Sequence, residues 1–143
     1  LGRKILMDNG AKLKKFGALV QAFVEENGTD EAMNEFVTPL ADLGDKVTKL
    51  TMEIGMKAMQ NQDEVGAAAV PYLRVVGHLV YSYFFARMAK IALEKQDSGD
   101  TFYKAKLATA RFYFARLLPE TAMLIRQARS GAKPLLDLEA ELF

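Results

Sequence analysis

The one histidine of the chain, His78, is the side chain best suited to move a proton near neutral pH, and it follows Gly77 in the middle of a long apolar segment. A di-iron centre in a helical bundle needs Glu-x-x-His pairs and further inward carboxylates. Position 75 is Val and there is no second histidine, so that centre is excluded. Arg74 stands one helical turn before His78, a pairing that could serve chemistry on RNA, but the spacing is short and no basic surface accompanies it. His78 therefore reads as a satisfied, partly buried structural histidine. The sequence has no glycine-rich phosphate loop, no Gly-x-Ser-x-Gly and no Ser/His/Asp set. The paired carboxylates Glu25-Glu26 and Asp63-Glu64 fall at predicted helix ends, where they solvate or cap.

Four arginines, Arg74, Arg87, Arg111 and Arg116, interrupt the two most apolar segments. Such an arginine either pairs with a carboxylate inside the bundle, for instance Glu53 or Glu120, or reaches across to a partner. Around them lie Tyr72, Tyr81, Tyr83, Phe84, Phe85, Phe102, Tyr103, Phe112, Tyr113 and Phe114, too many rings for one helical seam. Core packing is expected for Phe84 and Phe112. The others spread round both segments, and an aromatic surface containing arginine is typical of a protein–protein interface. Tyr81, Phe85, Arg111 and Tyr113 are the candidate interface residues. A small-molecule pocket between helices is the competing explanation.

These residues must be positioned by helices. Segment one, over 9–26, carries Leu13, Phe16, Val20 and Phe23 on one face and stops at Asn27-Gly28, with the glycine expected in the left-handed conformation. Segment two, over 30–61, has apolar residues at Phe36, Leu40, Leu43, Val47, Leu50 and Ile54, followed by Ala58, a narrow seam of the kind used in antiparallel bundles. Pro39 predicts a kink, or a short turn before a main helix starting near Thr38. Segment three, over 64–96 with Asp63 as its cap, has two apolar faces. One holds Leu73, Gly77, Val80, Phe84, Met88 and Ile91; the other holds Tyr72, Val75, Leu79 and Tyr83. Pro71 should bend it. Segment four, over 100–129 with Asp100 as cap, also has two, namely Ala105, Ala108, Phe112, Ala115 and Ala122, and Leu107, Phe114, Leu117, Leu118 and Leu124. Pro119 should kink it. Ser130-Gly131 ends it, and Lys133-Pro134 opens a short amphipathic tail. The predicted architecture is all-α: an up-and-down antiparallel four-helix bundle with a short C-terminal tail helix, forming a single domain over 1–143.

Bulk properties agree. The 143 residues suit one domain, and 50% apolar with 26% charged residues is ordinary globular composition. The absence of cysteine excludes disulfides, thiolate zinc and thiol catalysis. A net charge of +1 gives no field that would favour nucleic acid, and the mild basic cluster of Arg3, Lys4, Lys12, Lys14 and Lys15 reads as a solvated face. No run of 18 apolar residues suggests a transmembrane helix, and no signal peptide is visible. The chain opens on Leu1 and reads as a piece of a longer protein. Segments three and four are apolar nearly all round, which asks for cover from outside the bundle.

The residues that most define those segments carry a resemblance. Residues 67–74 (Ala-Ala-Ala-Val-Pro-Tyr-Leu-Arg), Ala110-Arg111-Phe112-Tyr113, Leu117-Leu118-Pro119 and the ending Ala140-Glu141-Leu142-Phe143 resemble the extra C-terminal domain of bacterial acyl-CoA dehydrogenases, with the methylmercaptopropionyl-CoA dehydrogenase-like subgroup the nearest. The opening Leu1-Gly2-Arg3-Lys4 is similar to the segment that leaves the catalytic part in that subgroup. The likeness is most specific over 66–143; over 9–62 it rests on helix pattern and position.

The resemblance implies a full-length FAD enzyme that oxidises acyl-CoA to 2,3-enoyl-CoA and passes electrons to an electron-transfer flavoprotein. It implies a cytoplasmic protein whose partners are its own dehydrogenase core and further copies in a homo-oligomer. The catalytic glutamate and most flavin contacts belong upstream, so no catalytic or metal-binding residue is expected here and no cofactor in this piece alone. The alternative is a free-standing interaction or apolar-ligand-binding module. Membrane attachment through an amphipathic face is a third reading, disfavoured by the near-neutral charge.

Overall fold

A computed structural model describes residues 10–142. Leu1 to Lys4, the helix start at Asn9 and the terminal Phe143 lie outside the described residues. Helix α1 spans Ala11–Asn27, α2 Asn34–Gln60, α3 Asp63–Lys95, α4 Thr101–Phe112 and α5 Glu120–Arg129. A 3₁₀ turn at Glu31–Met33 precedes α2, a π-helical segment at Tyr113–Leu117 follows α4, and α6 (Lys133–Leu136) begins the tail. No strand occurs among the described residues. The protein is an all-α bundle, as its periodicities require.

Side-chain pairs fix the directions of the helices. Arg111 bonds Glu35 and Arg129 bonds Glu53, and both pairs are 76 residues apart. A constant difference means that α2 and the 101–129 segment run parallel. Residues of α3 pair with both neighbours the other way: Tyr72 with Thr51, and Arg74 and His78 with Glu120 and Tyr113. Helix α3 is therefore antiparallel to each, and packs against α2, α4 and α5.

The α2 seam is the clearest success of periodicity: Phe36, Leu40, Leu43, Val47, Leu50 and Ile54 are all buried. Opposite them α3 buries Ala68, Tyr72, Val75, Leu79 and Tyr83, and its small Ala86, Ala89 and Ala92 let neighbouring helices close in. Helix α1 adds Val20 and Phe23, with Phe16 and Phe23 edge-on to the Tyr83 ring at 5.5 and 5.8 Å. The other apolar face of α3 is not core. Phe84 is 54% exposed and Phe112 57% exposed, so neither is the packing residue that its type suggested.

Several helix ends differ in detail from the sequence expectation. Gly28 has φ −68°, so it does not take the left-handed cap; a Cβ there would stand 2.9 Å from the Val24 carbonyl oxygen, and that close approach is what demands glycine. Asp63 is the first residue of α3 and not its cap; the N-cap is Gln62, and the Asp63 N–H donates to Asn61 Oδ1 just outside the helix. Asp30 and Asp100 accept from Ala32 and Phe102 N–H as N-caps. Helix α2 starts at Asn34, ahead of Pro39, and not near Thr38. Segment four divides into α4, the π-helical segment and α5, interrupted before Pro119 with the backbone right-handed helical through both joints. Pro119 cannot donate to a carbonyl four residues back; the turn before it widens, with Leu118 N–H reaching Tyr113 O at 3.0 Å. Buried positions then step by five, from Tyr113 to Leu118, and Leu117 turns outward. Gly131 has φ +80° and ends α5; the Glu64 carboxylate lies 3.0 Å from where its Cβ would be and accepts from Ala132 N–H.

Candidate docking face and its polar support

Helix α3 turns one apolar stripe to the core and a second away from it. The outer stripe runs Val70, Leu73, Gly77, Val80, Phe84, Met88 and Ile91 at steps of three and four, so these residues share a face. Leu73 is 69% exposed, and Val70, Phe84 and Ile91 are exposed with it. At about 1.5 Å per residue the stripe is about 30 Å long. Exposed Phe102, from α4, extends it sideways. Gly77, Val80 and Met88 are half-buried along it, Met88 packed against the core, and the exposed residues that share the face make it a candidate contact surface.

Between the outer stripe and the core, Arg74, His78, Tyr81 and Phe85 form a third row on α3, facing the π-helical segment. Tyr113 is its hub. Its ring stacks on Phe85 with centroids 4.4 Å apart and a 15° tilt, and meets Tyr81 and Phe114 edge-on. Its hydroxyl lies 3.1 Å from the His78 carbonyl oxygen and 2.9 Å from His78 Nδ1. His78 Nε2 lies 3.1 Å from Glu120 Oε2, and Glu120 also pairs with Arg74. If the phenol donates to the carbonyl, Nδ1–H donates to the phenol and the ring carries both protons. If the phenol donates to Nδ1, the ring is neutral. In either case Nε2–H faces the Glu120 carboxylate.

The electrostatics fix Tyr113 and Glu120 in this chain of groups. Burial, aided by the nearby Tyr81 phenol, pushes the Tyr113 hydroxyl well above its ordinary 10.0, so it stays neutral. The His78 hydrogen bond, with Arg74 beside it, holds the Glu120 carboxyl below its ordinary 4.5. Both imidazole nitrogens are satisfied inside the bundle, which suits a positioning role for His78 better than an open acid/base site. Among the described residues no cluster of three His, Cys, Asp or Glu could hold a metal ion.

The four candidate interface residues separate by depth. Tyr81 is 60% exposed and presents its ring at the surface. Phe85 is half-buried against Tyr113. Tyr113, only 3% exposed, is an internal support and not a surface group. Arg111 is exposed but is clamped by Glu35 through Nε (3.0 Å) and Nη2 (2.7 Å). Of the other arginines weighed, Arg74 pairs with Glu120 and Arg87 lies over the Tyr83 ring, 5.6 Å from its centroid. Sequence reasoning gave no weight to Glu35 or Lys106, and counted Phe102 only as one of the rings too many for one seam. The partner of Glu35 is 76 residues away, while Lys106 and Phe102 meet one turn apart in a helix start that only the Asp100 cap hinted at.

A family model described as acetyl-CoA dehydrogenase C-terminal like matches residues 16–139. The chain belongs to that family. No curated protein matches it. The match to the acetyl-CoA dehydrogenase C-terminal-like family takes in most of α1 and all of α2 to α6, so it covers the N-terminal helices for which the residues alone offered only a pattern. In this acetyl-CoA dehydrogenase C-terminal-like domain, the outer stripe and the internal His78–Tyr113–Glu120 chain sit on the same two helical segments that carry the sequence resemblance. No helix among the described residues is long and apolar enough to cross a membrane.

Proposed function

We propose that this domain is the C-terminal accessory part of an FAD-dependent acyl-CoA dehydrogenase of the methylmercaptopropionyl-CoA dehydrogenase-like subgroup, and that it works by docking. The full enzyme would be cytoplasmic and homo-oligomeric, oxidising acyl-CoA to 2,3-enoyl-CoA, with FAD accepting the hydride and electrons leaving to an electron-transfer flavoprotein. No step of that reaction is given to this chain's residues. They supply a surface: the outer α3 stripe with Tyr81 beside it, braced from behind by Phe85 and Tyr113, and Arg111 on its flank. The observation that carries this reading is the about 30 Å apolar stripe on the side of α3 away from the core.

The test is a pair of surface changes, Leu73→Glu and Phe84→Glu, made in the full-length enzyme and in residues 1–143 alone. Both side chains are exposed, so the isolated chain should melt normally. The full-length variants should lose oligomer size, flavin content or activity. Unchanged size, flavin and activity would remove the stripe from any docking role.

A second reading is favoured by one further observation. A groove of about 470 Å³ opens between α1 and α2, floored by Val20, Val24, Val47 and Leu79 and widened by Gly17, Gly44 and Gly55. That volume falls in the range of small-molecule sites, and it suits an apolar-ligand-binding module. Binding of a fatty acid to the isolated chain, lost on Gly44→Leu, would support it.

A further inference from the structure

The charges of this domain are sorted along the chain in a way that its near-zero net charge conceals. Residues 65–93 and 101–119, which form most of α3 and all of α4 and the π-helical segment, contain Arg74, Arg87, Lys90, Lys104, Lys106, Arg111 and Arg116 and not one Asp or Glu. Three of these cations are matched within the bundle: Arg74 by Glu120, Lys90 by Glu26 and Arg111 by Glu35. Among the described residues the other four have no carboxylate partner. Two of them, Arg87 and Lys106, line a groove of about 420 Å³ between the C-terminal half of α3 and the start of α4. Phe84, Met88, Ile91 and Phe102 give the groove an apolar floor. Lys106 Nζ lies 5.1 Å from the Phe102 ring centroid, and Arg87 lies over Tyr83, so both cations are held along the rim by aromatic faces.

We propose that this groove seats an acidic amphipathic helix: a partner helix whose apolar ridge enters between Phe84, Ile91 and Phe102, with Asp or Glu on its flanks meeting Arg87 and Lys106. The proposal rests on the docking reading above and names the chemistry of what docks. Apolar floor and cationic rim together exclude a purely apolar or a basic occupant. A second copy of this face is disfavoured as well, because a two-fold axis through the groove would set Arg87 and Lys106 against their own copies. The occupant we assign is therefore a segment of the dehydrogenase body, with acidic positions one helical turn apart.

The test is zero-length carbodiimide cross-linking of the assembled full-length enzyme, read by peptide mass spectrometry. The expected product joins Lys106 to an Asp or Glu outside residues 1–143, within a segment whose apolar residues recur every three or four positions. Lys106→Gln should abolish that product while leaving flavin content measurable, and Arg87→Gln should reduce it. Both residues lie at a surface groove, and circular dichroism of the variants checks that the bundle is intact. A Lys106 that is acetylated by a water-soluble ester as fast as exposed Lys12 in the assembled enzyme overturns the proposal. So does a cross-link that leads only into residues 1–143 of another copy. Capture of the wild-type enzyme, but not the Arg87→Gln/Lys106→Gln enzyme, by phosphatidylglycerol vesicles would also overturn it, in favour of a lipid surface. If Leu73→Glu and Phe84→Glu disrupt assembly while Lys106 stays freely acetylated, docking by the stripe survives and only the acidic helix fails. If those variants are also silent, both readings fall.

Discussion

Tyr113 supports His78 twice, at the ring nitrogen and at the backbone carbonyl, and both contacts run through one hydroxyl. Tyr113→Phe keeps the ring stacking on Phe85 and removes only that oxygen. Leaving the His78 groups short of a partner should cost about 1–3 kcal/mol, read by urea unfolding of the chain. The pH dependence follows from the same cluster. Glu120 has its folded-state value held below 4.5 by His78 and Arg74, so its contribution to stability is complete above the ordinary carboxylate range and is lost as pH falls below it. The melting-temperature difference between wild type and Glu120→Gln should therefore be full at pH 7 and shrink in acid. Tyr113 works in the opposite direction. Its raised value means stability that is complete below pH 10 and declines above it, a decline that Tyr113→Phe should lessen.

At the scale of elements, helix ends and seams were legible and the choice of face was not. The α2 seam could be read because only one of its faces is apolar, so only one can be buried. Asp100 could be read because a short acceptor before an apolar run suits an N-cap. Helix α3 offers two apolar stripes of equal quality, and nothing local says which meets α2. Phe36→Ala, at a fully buried ring, should destabilise by about 3–5 kcal/mol, whereas Phe84→Ser in the isolated chain should stay within about 0.5 kcal/mol; denaturant midpoints would expose a reversed assignment. The His78 cluster was illegible for a related reason. Tyr113 and Glu120 stand 35 and 42 residues from His78, and their phase on the helix depends on the wide turn that Pro119 imposes. Gly131 was a readable stop, but its second duty, making room for the Glu64 carboxylate, joins the end of α5 to the start of α3, with Glu64 and its hydrogen-bond partner Ala132 standing 68 residues apart. Gly131→Ala should cost at least about 1–2 kcal/mol from the backbone alone, measurable as a lowered melting temperature.

For the whole molecule, the outer stripe leaves exposed apolar side chains on one side of the domain, the side that the proposed docking would cover. The two arginine forks carry a different consequence, about how such long parallel rods find a single alignment. Arg111–Glu35 and Arg129–Glu53 are separated by the same 18-residue stretch of each rod, and both close together only at one axial setting. Apolar seams repeat every turn, so on greasy contact alone α2 could slide past the last helix by one turn, about 5.4 Å, at modest cost. At the Arg129 end the charges do not repeat. A one-turn slide in one direction sets Arg129 beside Lys57, and in the other direction beside Lys49. The slide to Lys57 sets two cations together and leaves Arg111 beside Pro39, whereas the slide to Lys49 sets two cations together at Arg129 but leaves Arg111 beside Glu31, so it is the Arg129–Glu53 fork that rejects both wrong alignments. Modest as each surface ion pair is for stability, the set of them works as a vernier: it contributes little to how firmly the rods hold, and much to where along their length they stop.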